Sequence, residues 1–309
     1  MIVEKNKVTR ENASTTTAHP TQKMLRDIGI AYDPRLVWRR LLGEFIGTFM
    51  LVLVAAGAGV IGTKYPGSVT IQSAAGAVGM IVLVLILMLG RISGAHFNAV
   101  VTVGFALRNV FPWRRVPGYL IAQLLGAIVA ALFLKACFGN VANVGTLGPA
   151  AGLGDGGIIV WETVLTFGLM TTIFAVVNGG MNVGNVAAFA IAAYFGSTIL
   201  WAGAIGSSMN PTRQLGPALV SGDFAHLGAY MVGPFIGMLL AVGVAYLLRG
   251  PGGRDAQGPM MAQGDVEAVL RATKVISDME ETILDEEKTI LNRQETILDR
   301  EEAESKKRG

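Results

Sequence analysis

The sequence predicts an all-α membrane protein in which six transmembrane helices and two half-membrane re-entrant helices form an inverted repeat. Its composition indicates a membrane protein, because the 309 residues are 52% hydrophobic and 15% charged, whereas soluble domains carry about 25% charged residues. Six apolar runs reach the roughly 20 residues that a helix needs to cross a bilayer. Two shorter apolar runs, each preceded by an asparagine, lie at matching positions in the two halves.

The chain begins with a polar arm and then becomes strongly apolar. Residues 1–34 show no hydrophobic period, and we interpret them as a disordered cytoplasmic arm. Residues 35–249 form the membrane domain. Its spans are predicted at roughly 40–62, 70–90, 116–138, 158–180, 184–205 and 227–248.

Internal similarity divides the membrane domain into halves at about 38–138 and 157–249. The third and sixth spans share a tyrosine followed by a glycine, and the first and fourth spans each carry an acid near the start: Tyr119, Gly126, Tyr230, Gly237, Glu44 and Glu162. Each half holds three spans, so the two halves must insert with opposite orientations. This arrangement is an inverted repeat.

Basic residues near the helix ends predict the orientation. Lysine and arginine concentrate in the cytoplasmic loops of membrane proteins. Placing both termini in the cytoplasm puts most of them on that side: Arg35, Arg39, Arg40, Arg91, Arg108, Arg114, Arg115, Arg249 and Arg254. The opposite side then holds Lys64, Lys135 and Arg213. We therefore expect a multi-pass protein of a plasma (inner) membrane with both termini inside.

The two short runs, 93–102 and 207–219, are predicted to be half-helices that meet near the middle of the bilayer. Non-helical backbone at membrane depth must face protein or a water-filled cavity. Interrupted segments at corresponding positions of two halves point to a transport site. Asn98 and Asn210 would stand at the two helix starts.

Asn98, Asn210 and Arg213 are the candidate pathway residues. Unpartnered N–H groups and the helix dipole make a helix N-terminus positive, and each asparagine amide adds donors. Two such ends would hold a passing water by its oxygen and repel cations. The alternative for each asparagine is an N-cap that serves only its own helix. A charge at membrane depth marks a pathway; the alternative for Arg213 is an interfacial position.

The segment after the membrane domain has a different character. Residues 250–264 are a glycine-rich linker, and residues 265–309 are highly charged. Within this tail, Ile-Leu pairs recur every seven residues at 283, 290 and 297, which is a coiled-coil period. Glu287 and Gln294 stand where the alternate core position should be. The tail is therefore either a solvated amphipathic helix or a parallel bundle beneath an oligomer, with partner binding through 265–303 also open.

The residues at the two short runs resemble those of the aquaporins, or major intrinsic proteins, over about 38–249. The Asn-Pro-Ala signature of that family appears as Asn98-Ala99-Val100 and as Asn210-Pro211-Thr212, and the flanking residues match well beyond the tripeptides. Ala99 lacks the preset φ that favours proline at a first helical position, but alanine is a good helix former. Because Val100 and Thr212 are bulkier than alanine, we expect a shifted contact between the half-helices.

The resemblance also implies a selectivity filter at the outer side. Counted from the two asparagines, its four residues are Val78, Thr198, Ser207 and Arg213. Water-selective members carry an aromatic and a histidine at the first two places, and glycerol-type members carry two aromatics. Val78 and Thr198 are smaller, so we expect a wider, partly polar filter. The alternative for Val78 and Thr198 is ordinary helix packing.

Four further residues are assigned to structural support of the half-helices. By resemblance, Glu44 and Glu162 accept hydrogen bonds from the adjacent half-helix loops, and Gln123 matches the family. The alternative for the two acids is ion coupling or a proton relay. His96 is expected to bond a neighbouring backbone group, with gating by its protonation as the alternative.

The predicted function is a passive channel for water and small uncharged solutes such as glycerol, urea or undissociated arsenite, excluding protons and ions. The alternatives are a secondary transporter of inverted-repeat fold, a water-only channel, and a membrane scaffold that recruits partners through its tail. We expect no enzyme activity, cofactor, metal or nucleic-acid partner, because no phosphate loop, nucleophile–base pair or metal spacing is present. By resemblance we expect a homotetramer.

Overall fold

The computed structural model describes residues 37–148, 153–177, 183–250, 278–279, 281 and 283–290. The described residues 37–250 belong to one compact unit, which we call the membrane unit, and the described tail residues belong to a second unit. The predicted arm (1–34), nearly all of the linker and most of the tail lie outside the described residues. The described part of the chain contains helices and turns and no β-strand.

Eight α-helices lie in the described part of the membrane unit, four in each half. The first half holds α1 (Val37–Lys64), α2 (Ile71–Ser93), α3 (Ala99–Leu107) and α4 (Val116–Phe138). The second half holds α5 (Asp155–Val177), α6 (Val183–Ala202), α7 (Pro211–Ser221) and α8 (Leu227–Arg249). The order is therefore long, long, short, long, twice.

Five of these helices, α1, α2, α4, α5 and α8, are long and apolar enough to cross a membrane. The fifth predicted span, 184–205, corresponds to α6, whose apolar stretch Val186–Ala202 is shorter than those of the other five. This helix ends before the predicted residue 205, because the chain turns at Gly203 and Gly206 to enter the next loop. The fourth span begins at Asp155 rather than 158, with an acid in its first turn, where the helix dipole favours negative charge.

The short helices α3 and α7 contain 9 and 11 residues. At about 1.5 Å per residue, neither crosses the roughly 30 Å hydrocarbon core. Each follows a loop with left-handed backbone just before its asparagine, at Phe97 (φ 49°) and Met209 (φ 51°). Helix α3 begins at Ala99 although proline is absent there.

Glycines allow the first and last long helix of each half to touch through their backbones. A Cβ on Gly126 of α4 would overlap the carbonyl oxygen of Phe45 on α1. In the second half, a Cβ on Gly237 of α8 would overlap the carbonyl oxygen of Thr163 on α5. Small residues permit this close approach in membrane proteins, and the matching positions show that the two halves are packed alike.

Large apolar side chains cover the outside of the membrane unit. Several are more than half exposed, including Met80, Ile121, Val160, Phe189 and Leu247. Such an apolar surface would be unusual in contact with water, whereas lipid or another subunit can cover it.

The described tail residues 283–290 are helical, and their apolar side chains are exposed. Ile283, Leu284 and Ile290 are 54%, 55% and 56% exposed. Lys288 lies 3.7 Å from Asp285 in an exposed ion pair. Leu291 and the pair at 297 lie outside the described residues, so the choice between a solvated helix and a bundle stays a prediction.

Gly237→Ala tests the helix contact of the second half. We expect a loss of about 1–3 kcal/mol in stability, the usual cost of overpacking, because the added Cβ would overlap the α5 backbone. Gly243→Ala is the matched control, since it lies on the same helix in open space and removes a helix-interior glycine. Thermal unfolding of the purified protein in detergent measures both. Equal melting temperatures for the two variants would contradict this packing.

Candidate functional site

The candidate site lies where the N-termini of α3 and α7 meet. The amide nitrogen Nδ2 of Asn98 donates to the carbonyl oxygen of Met209 at 2.8 Å, and Nδ2 of Asn210 donates to the carbonyl oxygen of Phe97 at 2.9 Å. Each asparagine thus bonds the residue that precedes the other one. Both asparagines are 2% exposed. The two halves of the chain are joined at this point by a reciprocal pair of hydrogen bonds.

Both asparagines are also N-caps of their own helices. Oδ1 of Asn98 accepts from the Val100 N–H at 3.1 Å, and Oδ1 of Asn210 accepts from the N–H groups of Thr212 and Arg213 at 3.0 and 3.2 Å. Each asparagine therefore caps its own helix and also bonds the loop before the opposite helix, so the two roles are not exclusive. Each amide has two N–H groups, and one of each has no acceptor in the described part of the chain.

Glu44 shapes the loop that leads into α3. It is fully buried, and its two oxygens accept from the backbone N–H of His96 at 3.0 Å and of Phe97 at 2.8 Å. The Ser93 hydroxyl and Nε2 of Gln123 donate to it as well, at 2.7 and 2.8 Å. This carboxylate therefore holds the residue whose carbonyl receives Asn210.

Glu162 shapes the corresponding loop of the second half. It is also fully buried, and it accepts from the backbone N–H groups of Ser208 and Met209, both at 2.7 Å. Pro234 stands on α8 at the position that matches Gln123, so no side-chain amide is available there. Both acids have the contacts that a structural role requires, and that role remains a prediction.

The first half contains a buried polar network centred on the Thr102 hydroxyl. Nε2 of Gln123 donates to the Thr102 hydroxyl at 3.0 Å, and that hydroxyl donates to the Asn98 carbonyl at 3.1 Å. Nδ1 of His96 lies 3.0 Å from the same Thr102 oxygen. The donor in this contact depends on the tautomer of His96; if the hydroxyl proton goes to the Asn98 carbonyl, Nδ1 of His96 donates. The His96 ring packs among the rings of Phe105, Phe111 and Tyr119.

Arg213 lies in the first turn of α7 and is 6% exposed. Its Nη1 donates to the Gly145 carbonyl at 2.8 Å and to Oε1 of Gln214 at 3.1 Å, and Nη2 donates to the Ala55 carbonyl at 3.4 Å. A guanidinium carries five N–H groups, and two of them have no acceptor among the described residues. Three hydrogen bonds thus fix the Arg213 guanidinium in place, and two of its N–H groups can still donate to another molecule.

The other three predicted filter residues come from different elements. Val78 on α2 and Thr198 on α6 are 4% and 2% exposed. The Thr198 hydroxyl donates to the Tyr194 carbonyl at 2.6 Å, so its oxygen remains an acceptor. The Ser207 hydroxyl is buried and has no partner in the described chain. No hydrogen bond joins these residues to one another or to Arg213 within the described ranges, and the filter assignment stays a prediction.

Several site residues were not identified in the sequence. Thr102 and Gln214 lie inside the two short runs, and only their proximity to Asn98 and Arg213 could have indicated them. The carbonyls of Phe97, Met209 and Gly145 carry no side-chain signal at all, because any residue supplies a carbonyl. Val100 and Thr212 are buried in the first turns of their helices.

Comparison with known proteins places this architecture in context. The family model described as major intrinsic protein matches residues 33–246. The chain is similar to Aquaporin NIP1-1 of Oryza sativa subsp. japonica, 37% identical over 224 residues, which cover 72% of this chain and 78% of that protein. It is also similar to Aquaporin NIP6-1 of Arabidopsis thaliana, 35% identical over 216 residues, which cover 70% of each.

A solved structure confirms the predicted fold class. The X-ray structure of the aquaglyceroporin from Plasmodium falciparum matches with a TM-score of 0.63 at 23% identity, covering 69% of this chain and 96% of that chain. Six spans with two half-helices in an inverted repeat is therefore the architecture of the membrane unit.

Glu162→Gln tests the support of the second half-helix loop. Glutamine replaces one acceptor oxygen by an amide donor, which would face the backbone N–H of Ser208 or Met209. Leaving one buried N–H unsatisfied costs about 1–3 kcal/mol, so we expect a lower melting temperature in detergent. Glu286→Gln, at an exposed tail position, is the control and should change nothing. An unchanged melting temperature for Glu162→Gln would contradict the supporting role.

Proposed function

This chain belongs to the major intrinsic protein family, and we propose that it is a passive membrane channel for water and small uncharged solutes that excludes protons and ions. The observation that carries this proposal is the reciprocal bonding of Asn98 and Asn210, which brings two half-helix N-termini together. The named relatives are aquaporins, which supports a water-conducting function.

The two helix ends supply the exclusion of protons and cations. Pore width, lining donors, and an arginine or half-helix dipoles are the established general account of aquaporin-type selectivity, and we adopt it for this chain. Each helix end carries about half a positive charge, and each asparagine keeps one N–H available. A water between them accepts through its oxygen, so the hydrogen-bonded chain that proton hopping needs is interrupted.

The proposed filter of Val78, Thr198, Ser207 and Arg213 favours solutes larger than water. Valine, threonine and serine leave more space than the aromatic residues of narrower members. The Thr198 oxygen can accept, and Arg213 retains two N–H donors. A neutral solute with several hydroxyl or amide groups, such as glycerol, urea or undissociated arsenite, matches this set of donors and acceptors.

A secondary transporter is the competing function, and the buried acids bear on it. A coupled transporter needs a site for its coupling ion, and buried carboxylates often provide it. Glu44 and Glu162 instead accept hydrogen bonds from the loops that they support. This favours the channel.

The setting of the channel is also a proposal. Belonging to this family and the apolar helices make the chain a multi-pass membrane protein. We propose a plasma (inner) membrane, and the distribution of basic residues supports an orientation with both termini in the cytoplasm. Membership of the family supports a homotetramer, whose cytoplasmic face would carry the tails.

Osmotic swelling of proteoliposomes tests the channel against the transporter. We expect stopped-flow water and glycerol fluxes to be the same with and without a sodium or proton gradient, because a passive pore has no coupling ion. Empty liposomes provide the background, and vesicles loaded with a pH dye report proton leakage. Solute flux that requires a gradient would overturn the channel.

Val78→Trp tests the filter. Narrowing the pore should reduce glycerol permeability on the order of tenfold while water permeability changes far less. Met80→Trp is the matched control, because Met80 lies on the same helix with 66% of its surface exposed, and it should leave both permeabilities unchanged. Equal loss of water and glycerol in Val78→Trp would remove Val78 from the filter.

A further inference from the structure

Gln214 makes an unusual set of contacts directly beside the filter arginine. It is 1% exposed. Its Nε2 donates to the Leu147 carbonyl at 2.8 Å, while its Oε1 accepts from the Leu147 N–H at 3.1 Å. The same Oε1 accepts from Nη1 of Arg213 at 3.1 Å. One carboxamide therefore binds both backbone groups of a loop residue and the guanidinium of its own neighbour.

These contacts exist because Arg213 and Gln214 both reach the same loop segment, 145–147. Adjacent side chains on a helix do not face each other, so a bond between them needs a shared anchor. Nη1 of Arg213 donates to the Gly145 carbonyl at 2.8 Å, two residues before the backbone that Gln214 binds. The loop thus holds both side chains, and Gln214 in turn holds the loop.

The loop segment reaches this position through a left-handed turn. Ala142, Asn143 and Val144 have φ of 49°, 47° and 56°, an unfavourable conformation for residues other than glycine. Val144 is fully buried, and Nδ2 of Asn143 donates to Asp223 at 2.6 Å. Gly145 follows with φ 78°, and a Cβ there would lie 2.6 Å from Ala56 of α1. Strain of this kind persists only where the surroundings fix it.

We infer that Gln214 is a positioning residue that sets the solute selectivity of this channel by holding the Arg213 guanidinium against the loop segment 145–147. The inference rests on the proposed channel function. Removing the carboxamide frees one N–H of Nη1 and breaks both bonds to Leu147. The segment that carries the Gly145 carbonyl then loosens, and the guanidinium can swing towards the passage. A swinging guanidinium obstructs a large solute more than it obstructs water.

The test compares three substitutions of Gln214 by stopped-flow swelling of proteoliposomes, with permeabilities for water, glycerol and urea scaled to the amount of folded protein. Gln214→Met keeps the volume without hydrogen bonds, and Gln214→Asn is too short to reach Leu147. Both should lower the glycerol-to-water permeability ratio by about tenfold, the factor by which a lost bond to a charged group shifts an equilibrium. Gln214→Glu keeps the acceptor for Arg213 and for the Leu147 N–H and loses only the donor to the Leu147 carbonyl. Because the charged bond to Arg213 is strengthened, its ratio should stay within about twofold of the native ratio.

Ser221→Ala is the matched control for the loop. Ser221 lies on the same helix and its hydroxyl is 3.3 Å from that of Thr146 in the same loop segment, yet it does not contact Arg213. The glycerol-to-water permeability ratio of Ser221→Ala should equal that of the native protein.

Each outcome decides between positioning and simple structural support. A structural role would lower all permeabilities together, so an unchanged ratio in Gln214→Met and Gln214→Asn overturns the inference. The same shift in Ser221→Ala, or a Gln214→Glu ratio as low as that of methionine, also overturns it. If the native protein conducts neither water nor glycerol, the proposed function fails and the inference fails with it. If the native protein conducts water and glycerol, the proposed function stands and the variants test the role of Gln214 by itself.

Discussion

The membrane unit depends on two hydrogen bonds that cross between its halves. Asn98 donates to the carbonyl before Asn210, and Asn210 donates to the carbonyl before Asn98. Both bonds are buried, where a polar group without a partner is costly. Two helices too short to cross the bilayer can end inside it because each satisfies the other, and the long helices surround this contact.

Each half supports its loop in a related but unequal way. Glu44 and Glu162 both fold a loop around a carboxylate, so that the carbonyls of Phe97 and Met209 face the opposite asparagine. The first half adds Gln123 and Thr102, whereas the second half places Pro234 at the position that matches Gln123. The second half-helix instead carries Arg213 and Gln214, which bind the loop segment 145–147. The two halves share the same frame and differ in the side chains that anchor each half-helix.

Apolar runs and paired motifs predict most of this fold, but they do not predict the backbone contacts. Spans of 20 or more apolar residues identify helices whatever their neighbours, and the asparagine starts of α3 and α7 follow from cap chemistry. Two boundaries of the long helices differ from the predicted ones by about three residues, at Asp155 and Ala202. The reason is that caps and turns, rather than hydropathy, determine where a helix begins and ends. The left-handed turn at 142–144 contains no glycine or proline, so the sequence gives no strong signal for it. The role of Gln214 depends on that turn, so it could not be predicted without coordinates.

The two asparagines serve their own helix and the opposite loop at once, and this restricts the amino acids that the position can accept. An oxygen must face the first turn while an N–H faces across the junction and another remains open. Aspartate has the oxygen but no hydrogen to give, and serine has one hydrogen for two destinations. Glutamine has the right group on a longer stem, which displaces it. Among the twenty side chains, only the asparagine amide combines this reach with one acceptor and two donors.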